Sequence, residues 1–332
     1  MSNKGIINKI IDMSVVDGPG NRTSIFLQGC NFNCFYCHNP ETIRHCINCM
    51  ECIPSCPTKS LKNVNGKIVW NDKTCINCDE CIRVCKHLSS PKIYNLTVEE
   101  TVERIKKNIP FIRGITVSGG ECTLQHTFLT SLFTEVRKLG LTCFVDTNGG
   151  IPLKRLPDFV EVSDAFMLDI KAFDNEEHLF ITKSKVDVVL ENADYLASIN
   201  KLFEIRTVTI AGMDNRTTID NITRMLSKYI KMGHKIRYKI IKYRKKGAIF
   251  MKTKGGITHC LAIQSIMDCA LADEPMVILE PIKGELTEYI SGRLKQLDYN
   301  VVTLNSKNPE KSLSSNLLPS VINESKKDNL AK

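Results

Sequence analysis

Eleven of the fifteen cysteines in this 332-residue chain fall between Cys30 and Cys85, in three runs. The first is Cys30-Asn-Phe-Asn-Cys34-Phe-Tyr-Cys37, spaced C-x3-C-x2-C. Three thiolates this close can hold three corners of a [4Fe–4S] cubane and leave the fourth iron without a protein ligand nearby. An iron open in this way suits chemistry better than electron storage, because a substrate can chelate it. A zinc site normally draws on four ligands in two pairs, which this run does not supply.

The second and third runs are Cys46-x2-Cys49-x2-Cys52-x3-Cys56-Pro57 and Cys75-x2-Cys78-x2-Cys81-x3-Cys85-Lys86. Both have bacterial-ferredoxin spacing, in which the fourth cysteine of each run ligates the other cluster. The expectation is one [4Fe–4S] cluster on Cys46, Cys49, Cys52 and Cys85 and another on Cys56, Cys75, Cys78 and Cys81. A zinc ribbon would show two C-x2-C pairs without the third and fourth cysteines. Two such clusters suggest an electron path to the open one. A stapled docking surface is the alternative role, and spacing leaves both open. Cys122, Cys143, Cys260 and Cys269 stand singly.

The elements that must position these residues show as an alternation. Residues 22–28 read as a strand. Thr97-Val-Glu-Glu100 is a capping box, and Val98, Val102, Ile105 and Ile109 share one helical face before Pro110. Residues 114–118 read as a strand. A helix over Leu124–Leu139 carries Leu124, Phe128, Leu132 and Val136 in i, i+4 order, with Gly140 placed to cap it. Strands follow at 141–147, 165–170, 203–210 and 235–241, with helices near 186–200 and 217–232. This rhythm predicts an α/β fold with a parallel sheet and chemistry at the C-terminal ends of its strands. Cys30, Gly119–Glu121, Asp146–Asn148 and Asp169–Lys171 all fall there.

The glycines of Ser118-Gly119-Gly120-Glu121 would let backbone approach a ligand closely. Asp146-Thr147-Asn148-Gly149 and Met167-Leu168-Asp169-Ile170-Lys171 offer hard oxygen ligands for a hard cation, or helix caps and turns. Segment 45–91 interrupts the rhythm and is too small to fold without staples. Further on, helices near 258–272 and 284–297 and strands at Met276–Leu279 and Asn300–Leu304 are expected, then a polar, disordered tail from Asn305.

Composition sets the bounds. Hydrophobic residues at 42% and charged residues at 24% are ordinary for a soluble protein with about two domains. No apolar run reaches the ~18 residues of a membrane span. Met1–Asp12 lacks an export signal, so a cytoplasmic chain with reduced thiols is expected. The formal charge of +9 falls to roughly +4 once cluster charge is counted, which is weak ground for a nucleic-acid partner. The best ground for RNA is Lys235–Lys254, with nine Lys/Arg and no acid. Only Tyr238, Tyr243 and Phe250 interleave it, which favours a solvated face or a docking patch for an acidic protein.

The Cys30–Cys37 triplet after a first strand, followed by Gly119-Gly120-Glu121, resembles the signature of the radical S-adenosylmethionine (SAM) superfamily. That likeness implies a partial (β/α)6 barrel with the cluster at its top and the amino and carboxylate groups of SAM chelating the open iron. Asp17-Gly-Pro-Gly20-Asn-Arg22, Gln28-Gly-Cys30, Cys37-His-Asn-Pro40 and the Asp146–Gly149 and Leu168–Lys171 segments resemble the glycyl radical enzyme activating enzymes over about residues 5–242. Phe111–Glu121 and Gly66-Lys-Ile-Val-Trp-Asn71 are most similar to the YjjW-type activases.

The resemblance implies barrel segments at 1–44 and 92–247 around a ferredoxin-like 2[4Fe–4S] insert at 45–91, an α/β extension at 248–304 and the tail at 305–332. It implies an anaerobic oxidoreductase that cleaves SAM reductively to a 5′-deoxyadenosyl radical, which takes a hydrogen atom from a glycine Cα of a partner enzyme. Flavodoxin or ferredoxin would be the reductant, and no membrane or nucleic acid is implied. Cys30, Cys34 and Cys37 would hold the catalytic cluster. Tyr36, His38, Gly119, Gly120, Glu121, Asp169, Lys171 and Arg206 would contact SAM. Asp146, Thr147, Met167 and Asp169 would bind a monovalent cation, Met167 through its carbonyl. Ile210-Ala-Gly212 departs from the family's Ile-Pro-Gly, and Lys242–Gly247 lacks a histidine that approaches SAM in some relatives. The rivals are a radical SAM enzyme acting on another peptide or on RNA, and, of a different class, a ferredoxin-like electron carrier, which would leave the triplet without purpose.

Overall fold

The computed structural model describes residues 4–210 and 213–242, and the strands at 276–279 and 300–303. The strands are β1 (Lys4–Ser14), β2 (Arg22–Leu27), β3 (Leu61–Val64), β4 (Lys67–Trp70), β5 (Tyr94–Thr97), β6 (Gly114–Gly119), β7 (Thr142–Thr147), β8 (Ala165–Asp169), β9 (Leu202–Thr209), β10 (Arg237–Lys242), β11 (Met276–Leu279) and β12 (Asn300–Thr303). The helices are α1 (Glu80–Arg83), α2 (Val98–Lys106), α3 (His126–Lys138), α4 (Pro157–Val162), α5 (Asn175–Thr182), α6 (Asp187–Ser198) and α7 (Asn215–Lys231).

Eight strands form one open sheet in the order β10-β9-β8-β7-β6-β2-β1-β5. From β2 through β6 to β10 the pairing is parallel. β1 runs antiparallel to both β2 and β5. The parallel strands carry fully buried Ile25, Ile115, Val117, Val145, Leu168 and Ile205. Against them pack Phe128, Leu132 and Val136 of α3, Val189 and Ala193 of α6, and Ile219 and Ile222 of α7, in one continuous core.

Local chemistry accounts for several boundaries. Thr97 Oγ1 accepts from Glu100 N at 3.2 Å while Thr97 N donates to Glu100 Oε2 at 2.8 Å, a complete capping box. Gly140, at φ +76°, ends α3 in the left-handed conformation. The helix expected from Leu124 begins instead at His126, because Cys122–Gln125 forms a 3-10 turn capped by the Glu121 side chain on Thr123 N. Leu124 is consequently exposed rather than in the core.

Arg22 is buried at the start of β2. Its guanidinium donates to Thr116 Oγ1 at 2.9 Å, Ile115 O at 2.7 Å and Thr142 O at 2.9 Å, tying together the entrances of β2, β6 and β7. Burial lowers its pKa to about 10, against the pull of Cys143 and Asp164.

Segment 45–91 leaves the main sheet and returns to it. Its β3–β4 hairpin turns at Asn65-Gly66, both left-handed at φ +52° and +75°, the geometry of a two-residue type I′ turn. Its core is small: Cys52, Leu61 and Cys81, with Ile53, Ile68, Trp70 and Ile82 against them. The two ends meet, since Arg44 N donates to Leu88 O at 3.0 Å and Arg44 bridges Ser89.

The strands expected at Met276–Leu279 and Asn300–Leu304 are present as β11 and β12, paired in parallel. The helices near 258–272 and 284–297, Ala211-Gly212, the stretch after Lys242, Cys260, Cys269 and the tail from Asn305 lie outside the described residues. Among the described residues no helix is long and apolar enough to cross a membrane.

Candidate active site

The loop after β2 is held from three sides. Gln28 is buried, and its Nε2 donates to Glu41 O at 2.8 Å and Arg44 O at 2.6 Å, closing the loop on itself. Cys30 N donates to Ile43 O at 2.9 Å. On the far side, Asn33 N and Phe35 N donate to Thr182 O and Ile181 O at 2.9 and 3.1 Å, so the unsatisfied carbonyls at the end of α5 receive the loop's backbone. Phe32 is buried with its ring edge-on to His178 at 5.5 Å. Asn148, just after β7, donates from Nδ2 to Asn31 Oδ1 at 2.9 Å and faces Cys30 Sγ at 3.6 Å.

Cys30, Cys34 and Cys37 are therefore carried on a braced loop at the C-terminal end of the parallel sheet. Burial, then the charge of Glu121, pushes the Cys30 thiol up to about 12. Burial brings Cys34 to about 11 and raises Cys37. Thiols in this state bind metal only by releasing protons. The donor set fits a three-thiolate cluster site, since soft sulfurs on one loop suit iron–sulfur ligation.

The glycines at the end of β6 make room for neighbouring backbone. A Cβ on Gly119, at φ +124°, would collide with the backbone of Leu27, and one on Gly120 with the carbonyl of Gly29. They admit the end of β2 and the start of the cysteine loop. Glu121 is fully buried, and its carboxylate receives Thr123 N, Thr123 Oγ1, Thr147 Oγ1 and Asn148 N at 2.6 to 3.0 Å. Burial pushes this carboxyl up while those four donors oppose the shift.

The charged residues at the ends of β7 to β9 form a compensated group. Arg206 Nη1 donates to Asp146 Oδ2 at 2.9 Å, its Nε pairs with Glu204, and its Nη2 faces Met167 Sδ at 3.0 Å. Ser118 Oγ donates to the same Asp146 oxygen at 2.9 Å. Lys171 pairs with Asp169 and lies 5.8 Å from the ring centre of buried Tyr36. Burial acts to lower Lys171, but Asp169, Tyr36 and Cys34 outweigh it and hold its ammonium well above the usual range. For Arg206 burial is likewise overcome, by Asp146, Glu204 and Asp169. Burial raises Asp146 against the pull of Arg206.

Of the sequence-derived residues, Tyr36, Asp169, Lys171, Arg206 and Asp146 gather beside the cysteine loop, and His38 is on the exposed side of it. The four residues expected to bind a cation already have protein partners: Asp146 and the Met167 side chain with Arg206, Asp169 with Lys171, and the Thr147 hydroxyl with Glu121 and Gly149 N. An added ion would share these residues with the partners they already have.

Sequence reading missed Asn192. It donates from Nδ2 to Gly149 O and Ile151 O at 2.7 and 2.8 Å and accepts Leu153 N at 2.9 Å, buckling down the loop after β7. Its signal was a polar residue on the apolar face of α6.

In segment 45–91 the eight cysteines sort into two cavities. Cys46, Cys49, Cys52 and Cys85 line one, with Glu51, His87 and Ser89 among its walls. Cys56, Cys75, Cys78 and Cys81 line the other, with Trp70, Asp79 and Lys92. The two runs repeat locally: Asn48 and Met50 are left-handed at φ +58° and +66°, and their counterparts Asn77 and Asp79 at +54° and +61°. Burial pushes the third thiol of each run, Cys52 and Cys81, up to about 11. Four soft donors around each cavity fit a [4Fe–4S] group.

The model of the radical SAM superfamily matches residues 24–226. A Haemophilus influenzae protein assigned as a glycyl-radical enzyme activating enzyme is 30% identical over 263 residues, 73% of this chain and 82% of its own. The chain belongs to the radical SAM superfamily, among the glycyl-radical enzyme activating enzymes. The (2S)-3-sulfopropanediol sulfolyase activating enzyme of Bilophila wadsworthia is 31% identical over 271 residues, 73% of this chain and 86% of its own. The pyruvate formate-lyase-activating enzyme of Streptococcus mutans is 29% identical over 251 residues, 73% and 79%. Family membership carries a [4Fe–4S] cluster and SAM, and the loop Cys30–Cys37 lies within the matched residues.

Proposed function

We propose that this chain installs a glycine-centred radical on a partner enzyme. With the cluster and SAM bound, the site supplies reductive cleavage of SAM to methionine and a 5′-deoxyadenosyl radical, which takes a hydrogen atom from a glycine Cα of the partner. The observation that carries this reading is the Cys30–Cys34–Cys37 loop braced at the C-terminal end of the parallel sheet, beside the charged group of Asp146, Arg206, Asp169 and Lys171. The six parallel strands and their helices fit a partial (β/α)6 barrel whose two segments span 1–44 and 92–247.

Cys30, Cys34 and Cys37 hold the catalytic cluster. Lys171 and Arg206 keep their charge in a buried site and are placed for the carboxylate of SAM. Tyr36 forms an apolar wall with Ala172, Ile181 and Ile210, suited to the adenosyl group and to keeping water from a radical. Gly119, Gly120 and Glu121 hold the methionine end of SAM, on a floor that they also shape. Segment 45–91 is a ferredoxin-like insert with two further clusters, on Cys46, Cys49, Cys52 and Cys85 and on Cys56, Cys75, Cys78 and Cys81. Their sorting into two cavities supports three clusters per chain. The role proposed for the insert is an electron path from a flavodoxin or ferredoxin.

The RNA reading loses ground at the near end of the basic run, where Arg237 lies over Phe203 at 5.0 Å and 3.6 Å from Glu204. The test is anaerobic incubation of the reduced activase and SAM with a candidate glycyl radical enzyme from the same genome. A glycine-centred EPR signal on the partner is expected. SAM cleavage without such a signal on any candidate would return the chain to the wider superfamily.

A further inference from the structure

Trp70 is the only tryptophan in the chain. It ends β4 opposite Leu61 and packs in the small core of the insert with Leu61, Cys52 and Cys81. Its ring meets Tyr94 of β5 edge-on, with centroids 5.0 Å apart and planes at 67°, where the insert touches the main sheet. Its Nε1 atom is buried and has no hydrogen-bond partner among the described residues. An indole N–H can only donate, so a buried one asks for an acceptor. The same side chain lines the cavity of Cys56, Cys75, Cys78 and Cys81.

The other polar groups of that wall are committed. Lys92 pairs with Asp79 at 2.5 Å, the Thr58 and Ser60 hydroxyls bond one another at 2.6 Å, and Ser60 N already points at Cys56 Sγ at 3.2 Å. The twin cavity has no indole; its wall carries Glu51. Each wall carries a carboxylate, Asp79 here and Glu51 there, and the twin's also carries His87 and Ser89; the indole is present on this side alone.

We propose that Trp70 Nε1–H donates a hydrogen bond to a sulfur of the [4Fe–4S] cluster held by Cys56, Cys75, Cys78 and Cys81, and so raises that cluster's reduction potential. This rests on the two-cluster reading of the insert. Reduction adds negative charge to the cluster, and a donor aimed at sulfur stabilises that charge. The cluster beside Trp70 then holds an electron more readily than it would without that donor.

The test uses the full-length chain after anaerobic reconstitution. Trp70→Phe keeps a ring against Tyr94 and removes the donor. Iron should remain at about 12 per chain. In a redox titration followed by EPR, one insert cluster should move to a more negative midpoint while the other two clusters hold. A tenfold change in its reduction equilibrium would read as about 59 mV. Unmoved midpoints at full iron would overturn the hydrogen bond. Wild-type protein holding about 4 iron would instead overturn the two-cluster reading, and this inference with it. Should the variant lose its cluster, the wild type decides: tryptophan carrying 15N in its indole labels this one atom, and a nitrogen hyperfine coupling to one reduced insert cluster is expected. Absence of that coupling refutes the proposal.

Discussion

Thr147, at the end of β7, donates its hydroxyl to Glu121 across 2.7 Å, and Asn148 N reaches the second carboxylate oxygen of Glu121 at the same distance. The buried acid thus joins the exit of β6 to the exit of β7. It shapes the floor on which the cysteine loop rests, because Glu121 N also donates to Gly29 O at 2.7 Å. Glu121→Gln keeps the size but offers one acceptor where two were used and adds two donors facing donors. A loss of about 1–3 kcal/mol in stability is expected, with weakened SAM binding as a consequence. Thermal unfolding and anaerobic SAM titration check this together. A variant with full stability and no SAM affinity would mean that Glu121 touches SAM directly.

Replacing Cys30, Cys34 and Cys37 together by Ala should leave about 8 of about 12 iron per chain and abolish 5′-deoxyadenosine formation with dithionite. Iron analysis and product chromatography read the two effects separately. Continued cleavage by the triple variant would remove the loop from the chemistry.

Asn192 holds two carbonyls and one amide of the loop that carries Asn148. Asn192→Ala strands all three, and a cost of about 2–3 kcal/mol is expected. Asn192→Asp places a carboxylate against the two carbonyls and should be at least as harmful. Denaturant unfolding of both variants measures the ordering.

Arg206 neutralises Asp146 and Glu204 in a buried setting. Arg206→Met leaves Asp146 without its counter-charge and Glu204 with Arg237 alone, at a cost of about 3–5 kcal/mol. Arg206→Lys keeps the charge but loses the forked geometry, so it should recover stability better than SAM affinity. Unfolding curves and the Kd for SAM, compared between the two variants, test whether geometry or charge governs binding. Equal recovery of both would favour charge.

The central parallel strands were legible because they bury both faces and read as short β-branched runs, as at Ile115, Thr116 and Val117. The cysteine spacings announced the two cavities, since side chains at fixed offsets along tight turns have few ways to converge. β1 and β5 were not legible. Lys4–Ser14 alternates poorly because its pairing with β2 is irregular, with register shifts near Lys9 and Ser14. The protein partners of Glu121 were hidden as well. Nothing local distinguishes a carboxylate that meets a ligand from one that receives Thr147 from the next strand, 26 residues away. Leu124 failed for a related reason: a side-chain cap three residues earlier converted its turn to 3-10 geometry.

Arg44 and Ser89 stand side by side where the insert departs and rejoins. A module whose two ends meet can be spliced in or cut out while its host keeps the same path, since a short bridge closes the gap at small entropic cost. Joining residue 44 to residue 89 through a few glycines should yield a one-cluster chain that still folds and still cleaves SAM when a chemical reductant is supplied. The electron relay would then be an accessory acquired as a cassette, separable from the radical chemistry it serves.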